Sequence, residues 1–291
     1  MTAAALSPHL AERFARHLAD LAAHGAGHGA CPSAIDAGAP QGTASEPISM
    51  AVMEQAGLVV GHRLRTRIAE ELRITMGELL RIMAARVPPG ADPSPRVATN
   101  VAMLTSARPG EGKSFIALNL AGSIAQHAQR QVILIDVDAK AGSLSGKLGL
   151  ADRAGLLDLG HAPGLRVEDA LRRTALPLLS LLPVGRGPGA APDAAPGVPA
   201  AALVERVARR FPEALVLIDA PPCLSTSDPS TLAPFVGHVV LVVQAEGTQR
   251  NEVAAALDLV KACPSVTLLL NKICLTTSYT FGAYHYFGTY S

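Results

Sequence analysis

Tryptophan is absent from this chain, and aromatic residues make up only 3% of its 291 residues. A core of ordinary size must therefore be built from aliphatics, which the 49% hydrophobic content can supply. The few aromatics are also unevenly placed. Tyr279, Tyr284, Tyr286 and Tyr290 are the only tyrosines, and with Phe281 and Phe287 they fall within the last thirteen residues. Large aromatics usually bring the most apolar area into a core, whereas a chain terminus is where order is weakest. Gly282 and Gly288 weaken any helix across this stretch. It reads as a flexible, hydroxyl-rich tail, better suited to be acted upon than to support a fold.

Other absences narrow the class further. The net charge is only +1, so no broad basic field is present and nucleic acid is not expected as a partner. No apolar run approaches the ~20 residues of a membrane span, and the N-terminus lacks a basic-then-apolar leader. Cys31, Cys223, Cys263 and Cys274 are scattered without a CxxC pair, which reads as reduced cytosolic thiols.

The chain divides by composition into four parts. Residues 1–47 hold a short amphipathic helix (Leu10, Phe14, Leu18, Leu21) and a Gly/Ala/Pro/Ser linker. Residues 48–96 form a helical, Arg-rich region that ends in a Pro/Gly break. Residues 97–274 carry the main domain and residues 275–291 the tyrosine-rich tail. Within the main domain, apolar runs at 101–105, 132–135, 178–182, 215–218, 239–243 and 266–270 are expected strands. Helical patterns at 113–126, 167–174, 200–210 and 248–261 separate most of them. Near-continuous apolar strands alternating with helices predict an α/β fold, its mostly parallel sheet flanked by helices on both faces. The Gly/Pro/Ala stretch 185–199 reads as a surface loop.

The first expected strand runs into Ala107-Arg108-Pro109-Gly110-Glu111-Gly112-Lys113-Ser114, followed by Phe115 and a helix. This fits the P-loop pattern, with Ala in place of the usual first Gly. Gly110 and Gly112 let successive backbone N–H groups curl around phosphate oxygens, and the helix N-terminus adds partial positive charge. Lys113 is placed to reach the β- and γ-phosphates, and the Ser114 hydroxyl to bind Mg²⁺. Two further strands end in acids: Asp136-Val137-Asp138, and Asp219-Ala220-Pro221-Pro222. Ligands of open parallel sheets bind at the carboxyl ends of strands. Asp136, Asp138 and Asp219 are therefore expected beside the P-loop, as organisers of Mg²⁺ and of an attacking hydroxyl or water.

These three segments, with the terminal tyrosines, resemble the bacterial tyrosine kinases of capsule and exopolysaccharide synthesis. Met53-Glu54-Gln55-Ala56-Gly57-Leu58-Val59 and Arg67-Ile68-Ala69-Glu70-Glu71-Leu72-Arg73 are similar to the autokinases of exosortase-linked clusters. The resemblance implies a P-loop NTPase fold, ATP and Mg²⁺ as cofactors, and autophosphorylation of Tyr279, Tyr284, Tyr286 and Tyr290. It implies catalytic roles for Lys113, Asp136, Asp138 and Asp219, and metal contacts from Ser114, Asp136 and Asp219. Nucleotide would be held by residues 108–115 and by Asn271, which sits where relatives contact adenine. Glu70 and Arg73 match two thirds of a helix motif that joins subunits into a ring. Implied partners are further copies of the chain, phosphorylated in trans, a separate membrane-bound polysaccharide co-polymerase that activates the kinase, and a tyrosine phosphatase. The implied location is cytoplasmic, at the inner face of a membrane. The chain departs from the family at Lys140, where Arg is usual, and at Met76, where the ring motif has its second Arg. Two alternatives stay open: a switch ATPase of the partition or division-site class, and a catalytically weakened regulatory relative. Switch ATPases carry a second Lys where this chain has Arg108, followed by Pro109.

Overall fold

A computed structural model describes residues 46–60, 67–84, 98–140, 142–187 and 198–273. Among these residues seven strands form one sheet: β1 (Ala98–Ser106), β2 (Val132–Asp136), β3 (Arg172–Arg173), β4 (Leu179–Leu182), β5 (Leu215–Asp219), β6 (Val236–Gln244) and β7 (Val266–Asn271). Their order across the sheet is β3-β4-β2-β5-β1-β6-β7. Every pairing is parallel except that of β3 with β4. Each expected strand is present, with bounds moved by a few residues.

Alternation along the strands explains why both faces are covered. Successive side chains of a strand point to opposite faces, so Ile133 and Ile135 enter one apolar cluster while Val132 and Leu134 enter the other. Full burial of each such side chain stabilises by roughly 1.5–3 kcal/mol. The first cluster lies beneath two helices, Ala200–Arg210 and Arg250–Val260. The second lies beneath the helix Lys113–His127 and the N-terminal segments. In chain order the helices are α1 (Met50–Gln55), α2 (Arg67–Ala84), α3 (Lys113–His127), α4 (Leu144–Lys147), α5 (Val167–Ala170), α6 (Ala200–Arg210), α7 (Asp228–Leu232) and α8 (Arg250–Val260).

The helical region expected over 48–85 is two helices, not one. α1 ends at Gly57, whose φ of 109° suits only glycine well, and the chain then runs extended beneath α3. Asn119 of α3 holds it there: Oδ1 accepts from Val59 N at 2.7 Å, and Nδ2 donates to Gly57 O at 2.8 Å. Leu58 and Val60 are buried, and Ile48 bridges to Thr174 at the far side of the sheet. Helix α5 also stops early, at Ala170 rather than near 174. Arg172 and Arg173 instead pair antiparallel with Leu181 and Ser180, adding a short edge strand beyond β4. The Thr174 hydroxyl, within hydrogen-bond distance of Leu176 O and Leu179 O and accepting from Leu176 N, fixes that return.

Candidate functional site

The P-loop leaves the carboxyl end of β1 at the centre of the sheet, between β5 and β6. Gly112 serves as the N-cap of α3 in the left-handed region, and Gly110 is also left-handed, at φ 85°. The expected glycine roles are therefore those of backbone geometry. Ser106 Oγ donates to Arg108 O at 2.8 Å and helps close the loop.

Lys113 is largely buried at the start of α3. Its Nζ stands 2.9 Å from Asp138 Oδ2, 3.5 Å from Asp219 Oδ1 and 3.3 Å from Ser114 Oγ. Burial alone would lower the ammonium's pKa, but Asp219, Asp138 and Asp136 together outweigh it and raise it. The parallel register of β2 and β5 sets Asp136 beside Asp219. Asp219 is fully buried, and that burial pushes its pKa up to about 6 despite the opposing pull of Lys113. Burial likewise raises Asp136, against hydrogen bonds from Ser145 and Asp138. Asp136 Oδ1 accepts from Asp138 N at 3.0 Å and Oδ2 from Ser145 N at 2.6 Å, so the carboxylate also shapes the turn that carries Asp138.

The donor set suits a hard cation. Asp219 Oδ2 is buried without a hydrogen-bond partner among the described residues, a lone pair set aside in the middle of the site. No three His, Cys, Asp or Glu side chains among the described residues form a closed cage. Mg²⁺ needs none, since it keeps waters and takes one or two carboxylates plus substrate phosphates.

Over 201 residues, 64% of this chain and 80% of the relative, the chain is 31% identical to tyrosine-protein kinase CpsD of Streptococcus agalactiae. The chain belongs to the bacterial tyrosine-protein kinases. Tyrosine-protein kinase wzc of Salmonella typhimurium is 30% identical over 159 residues, 55% of this chain and 22% of wzc. EpsB of Ralstonia solanacearum is 34% identical over 154 residues, 53% of this chain and 20% of its own length. The chain thus spans about a fifth of the length of these larger relatives. Among solved structures, the chimerical protein CapA2B2 superposes with TM-score 0.54 at 26% identity, over 73% of this chain and 89% of that one. The kinase domain of Escherichia coli tyrosine kinase ETK superposes with TM-score 0.53 over 73% and 80%, and at 20% identity it shows the shared P-loop fold. No protein-family model matches the chain.

The residues singled out from sequence divide into four groups. Lys113, Ser114, Asp136, Asp138 and Asp219 lie together. Asn271 lies across the P-loop, its Nδ2 donating to Glu111 O at 2.8 Å and packing against Gly112. Glu70 and Arg73 lie on α2, 3.2 Å apart and well exposed, a pair that contributes little to stability. The four tyrosines lie outside the described residues.

Three P-loop side chains turn away from the cradle. The Glu111 carboxylate accepts from Arg108 N at 2.7 Å, from Gln244 N at 3.3 Å and from the Thr248 hydroxyl, which ties the loop to the turn before α8. The Phe115 ring packs into the α3-side core against Gly57. Arg108 reaches Glu252 of α8 at 3.6 Å. For these three, the backbone is what remains to serve a phosphate. Lys272 is a residue that sequence reasoning missed: its Nζ donates to Gly110 O at 2.6 Å. Its place directly after Asn271 was the available signal. Thr248 and Gln244 carried none, because their contact with Glu111 spans more than 130 residues.

Proposed function

We propose that this chain is an ATP-dependent protein-tyrosine autokinase that phosphorylates its own C-terminal tyrosines. The observation that carries the reading is the position of Lys113 Nζ between Asp138 and Asp219 at the mouth of the P-loop. Phosphoryl transfer has a loose transition state with charge spread over the equatorial oxygens, so positioning and charge stabilisation are the main requirements. Lys113 supplies one cation, and the N–H groups of residues 108–115 supply fixed dipoles aimed at the phosphates. Mg²⁺, when bound, neutralises phosphate charge; Ser114, Asp219 and Asp136 are the residues to hold it. Asp219 Oδ2 is free for a metal-bound water. Asn271, which packs against Gly112, is the residue to meet the adenine.

The acceptors are Tyr279, Tyr284, Tyr286 and Tyr290. A phenol of pKa ≈ 10 is neutral at pH 7, so a carboxylate at the end of β2, Asp136 or Asp138, orients it and takes its proton. The tail of one copy serves a neighbouring copy, with Glu70 and Arg73 on the exposed face of α2 between them. Each added phosphate brings about −1.5 to −2 charges, and a heavily phosphorylated tail loosens that assembly. The wider role is control of exopolysaccharide polymerisation or export, with a membrane-bound co-polymerase as activator and a phosphatase to reset the tail. Among the described residues no helix is long and apolar enough to cross a membrane. Attachment at the inner membrane face is through the co-polymerase.

The test is incubation of the purified chain with labelled ATP and Mg²⁺, alone and with a candidate co-polymerase. Label on tyrosine is expected, lost in Lys113→Met and when the four tail tyrosines become Phe. Release of free phosphate from ATP with no labelled protein would sink this reading in favour of a switch ATPase.

A further inference from the structure

Beside the phosphate site, and lined by none of the P-loop residues, lies a cavity of about 340 Å³. It opens at the carboxyl ends of β2, β4 and β5, in the crevice where open α/β sheets take their ligands. Leu156, Leu157, Val184 and Pro221 give it apolar walls, and Asp138, Lys140, Thr226 and Asp228 are its polar groups. Asp138 is the shared boundary: it lines the cavity, and its Oδ2 is 2.9 Å from Lys113 Nζ. Thr226 Oγ1 is buried and has no hydrogen-bond partner among the described residues. Leaving a buried hydroxyl unpaired is unfavourable, so this atom awaits a polar partner.

We propose that this cavity is the acceptor slot, which takes one aromatic ring flat against its apolar walls, with Thr226 as the hydrogen-bond partner of the ring's hydroxyl. The inference rests on the kinase reading above and adds to it a place and a selecting group. The volume lies at the low end of the ~300–1,000 Å³ of small-molecule sites, enough for one side chain and too little for a nucleotide as well. A serine or threonine hydroxyl sits on a short stem and does not span such a slot. A phenol does, because its hydroxyl stands a ring's length from the backbone. Lys140, exposed at the rim, is placed to meet a phosphorylated stretch of the incoming tail.

The step balances simply. The phenol oxygen forms a bond to the γ-phosphorus of ATP as the bond from that phosphorus to the β,γ-bridging oxygen breaks. The electron pair leaves with ADP, and the phenol proton passes to Asp138. Thr226 touches only the acceptor, so it affects transfer and not nucleotide binding.

Ala200 of α6 also lines the cavity, and Ala200→Phe fills it from the wall. The full chain and its variants are given labelled ATP and Mg²⁺ while tyrosine label, free phosphate and binding of a fluorescent ADP are followed together. Ala200→Phe should lower transfer to tyrosine on the order of 100-fold, with ADP affinity and slow release of free phosphate unchanged. Thr226→Val, which keeps shape and loses the hydroxyl, should lower transfer about tenfold, and Thr226→Ser should restore it. Tyrosine labelling by Ala200→Phe at the wild-type rate would overturn the slot while leaving the kinase reading intact. An absence of tyrosine label on the wild-type chain, with the candidate co-polymerase present as well as without it, would remove the kinase reading itself. If Ala200→Phe loses ADP binding, the Thr226 pair decides: wild-type transfer by Thr226→Val overturns the proposal.

Discussion

Lys113 Nζ stands 2.9 Å from Asp138 Oδ2 and 3.5 Å from Asp219 Oδ1, so the phosphate-seeking cation of the P-loop is already paired within the protein. The pairing is uneven in its cost. Asp138 keeps a second contact with Lys140 N, whereas Asp219 is fully buried with one oxygen unpartnered among the described residues. A carboxylate left in that state is held for chemistry at the expense of the fold.

The first prediction follows from that burial. Asp219 has a folded pKa of about 6 against an ordinary 3.8. A raised carboxyl pKa means that the folded state binds the proton more tightly, so stability falls as pH rises from about 4 through about 6. Above that window the charged form opposes folding by roughly 3 kcal/mol, at about 1.4 kcal/mol per pH unit. Asp219→Asn should therefore melt higher than the native chain at pH 8, by a difference that shrinks toward pH 4. Thermal melts across that range, without nucleotide, check both the sign and the window. A gap that widened on acidification would contradict the assignment.

The second prediction concerns Asn119. Its amide, itself fully buried, meets the backbone of 57–60 and also donates to Phe115 O at 2.9 Å. Asn119→Leu keeps the volume but orphans the Val59 N–H and the Gly57 carbonyl, each worth about 1–3 kcal/mol when buried and unpaired. Urea unfolding should show a loss of about 2–4 kcal/mol. Protease digestion should find 57–60 newly accessible.

Gly122, one turn further along α3, gives the third. A Cβ there would lie 2.7 Å from Val60 Cγ2 and 2.9 Å from Leu58 Cδ1. Glycine to alanine inside a helix normally stabilises by about 1 kcal/mol, whereas overpacking a core costs about 1–3 kcal/mol. The clash involves two buried side chains with little room to retreat, so overpacking wins. Gly122→Ala should lower the melting temperature, and restoring space with Val60→Ala in the same chain should recover part of the loss.

Much of this was legible in the sequence because the signals were local. Val132 to Asp136 and Leu215 to Asp219 announce themselves as buried strands, and Gly110-Glu111-Gly112-Lys113-Ser114 names its own strand–turn–helix context. The short edge strand at Arg172 and Arg173 was not legible, since two arginines gain a strand conformation only from the β4 backbone beside them. Nor was the outward turn of the Glu111 side chain, whose partners Gln244 and Thr248 arrive from the opposite end of the chain. Helix propensity at 171–174 was a sound local inference, overridden by contacts that only the folded sheet supplies.

The last prediction separates two accounts of Met76. By motif, an arginine at this position would restore a cation to the exposed face of α2 and favour assembly. By structure, Met76 packs inward against the α3-side core, and its Sδ accepts from Ser123 Oγ at 3.4 Å, a fully buried hydroxyl of α3. An arginine stem can follow the same apolar path and send its guanidinium out to water, but the Ser123 hydroxyl then loses its acceptor. The net effect of Met76→Arg should be destabilisation of about 1–2 kcal/mol, from the lost contact and the altered packing. Chemical unfolding measures the stability term, and sizing at several concentrations measures assembly. A variant that assembled more tightly with undiminished stability would show that the outer face of α2, and not the α2–α3 contact, decides the residue at this position.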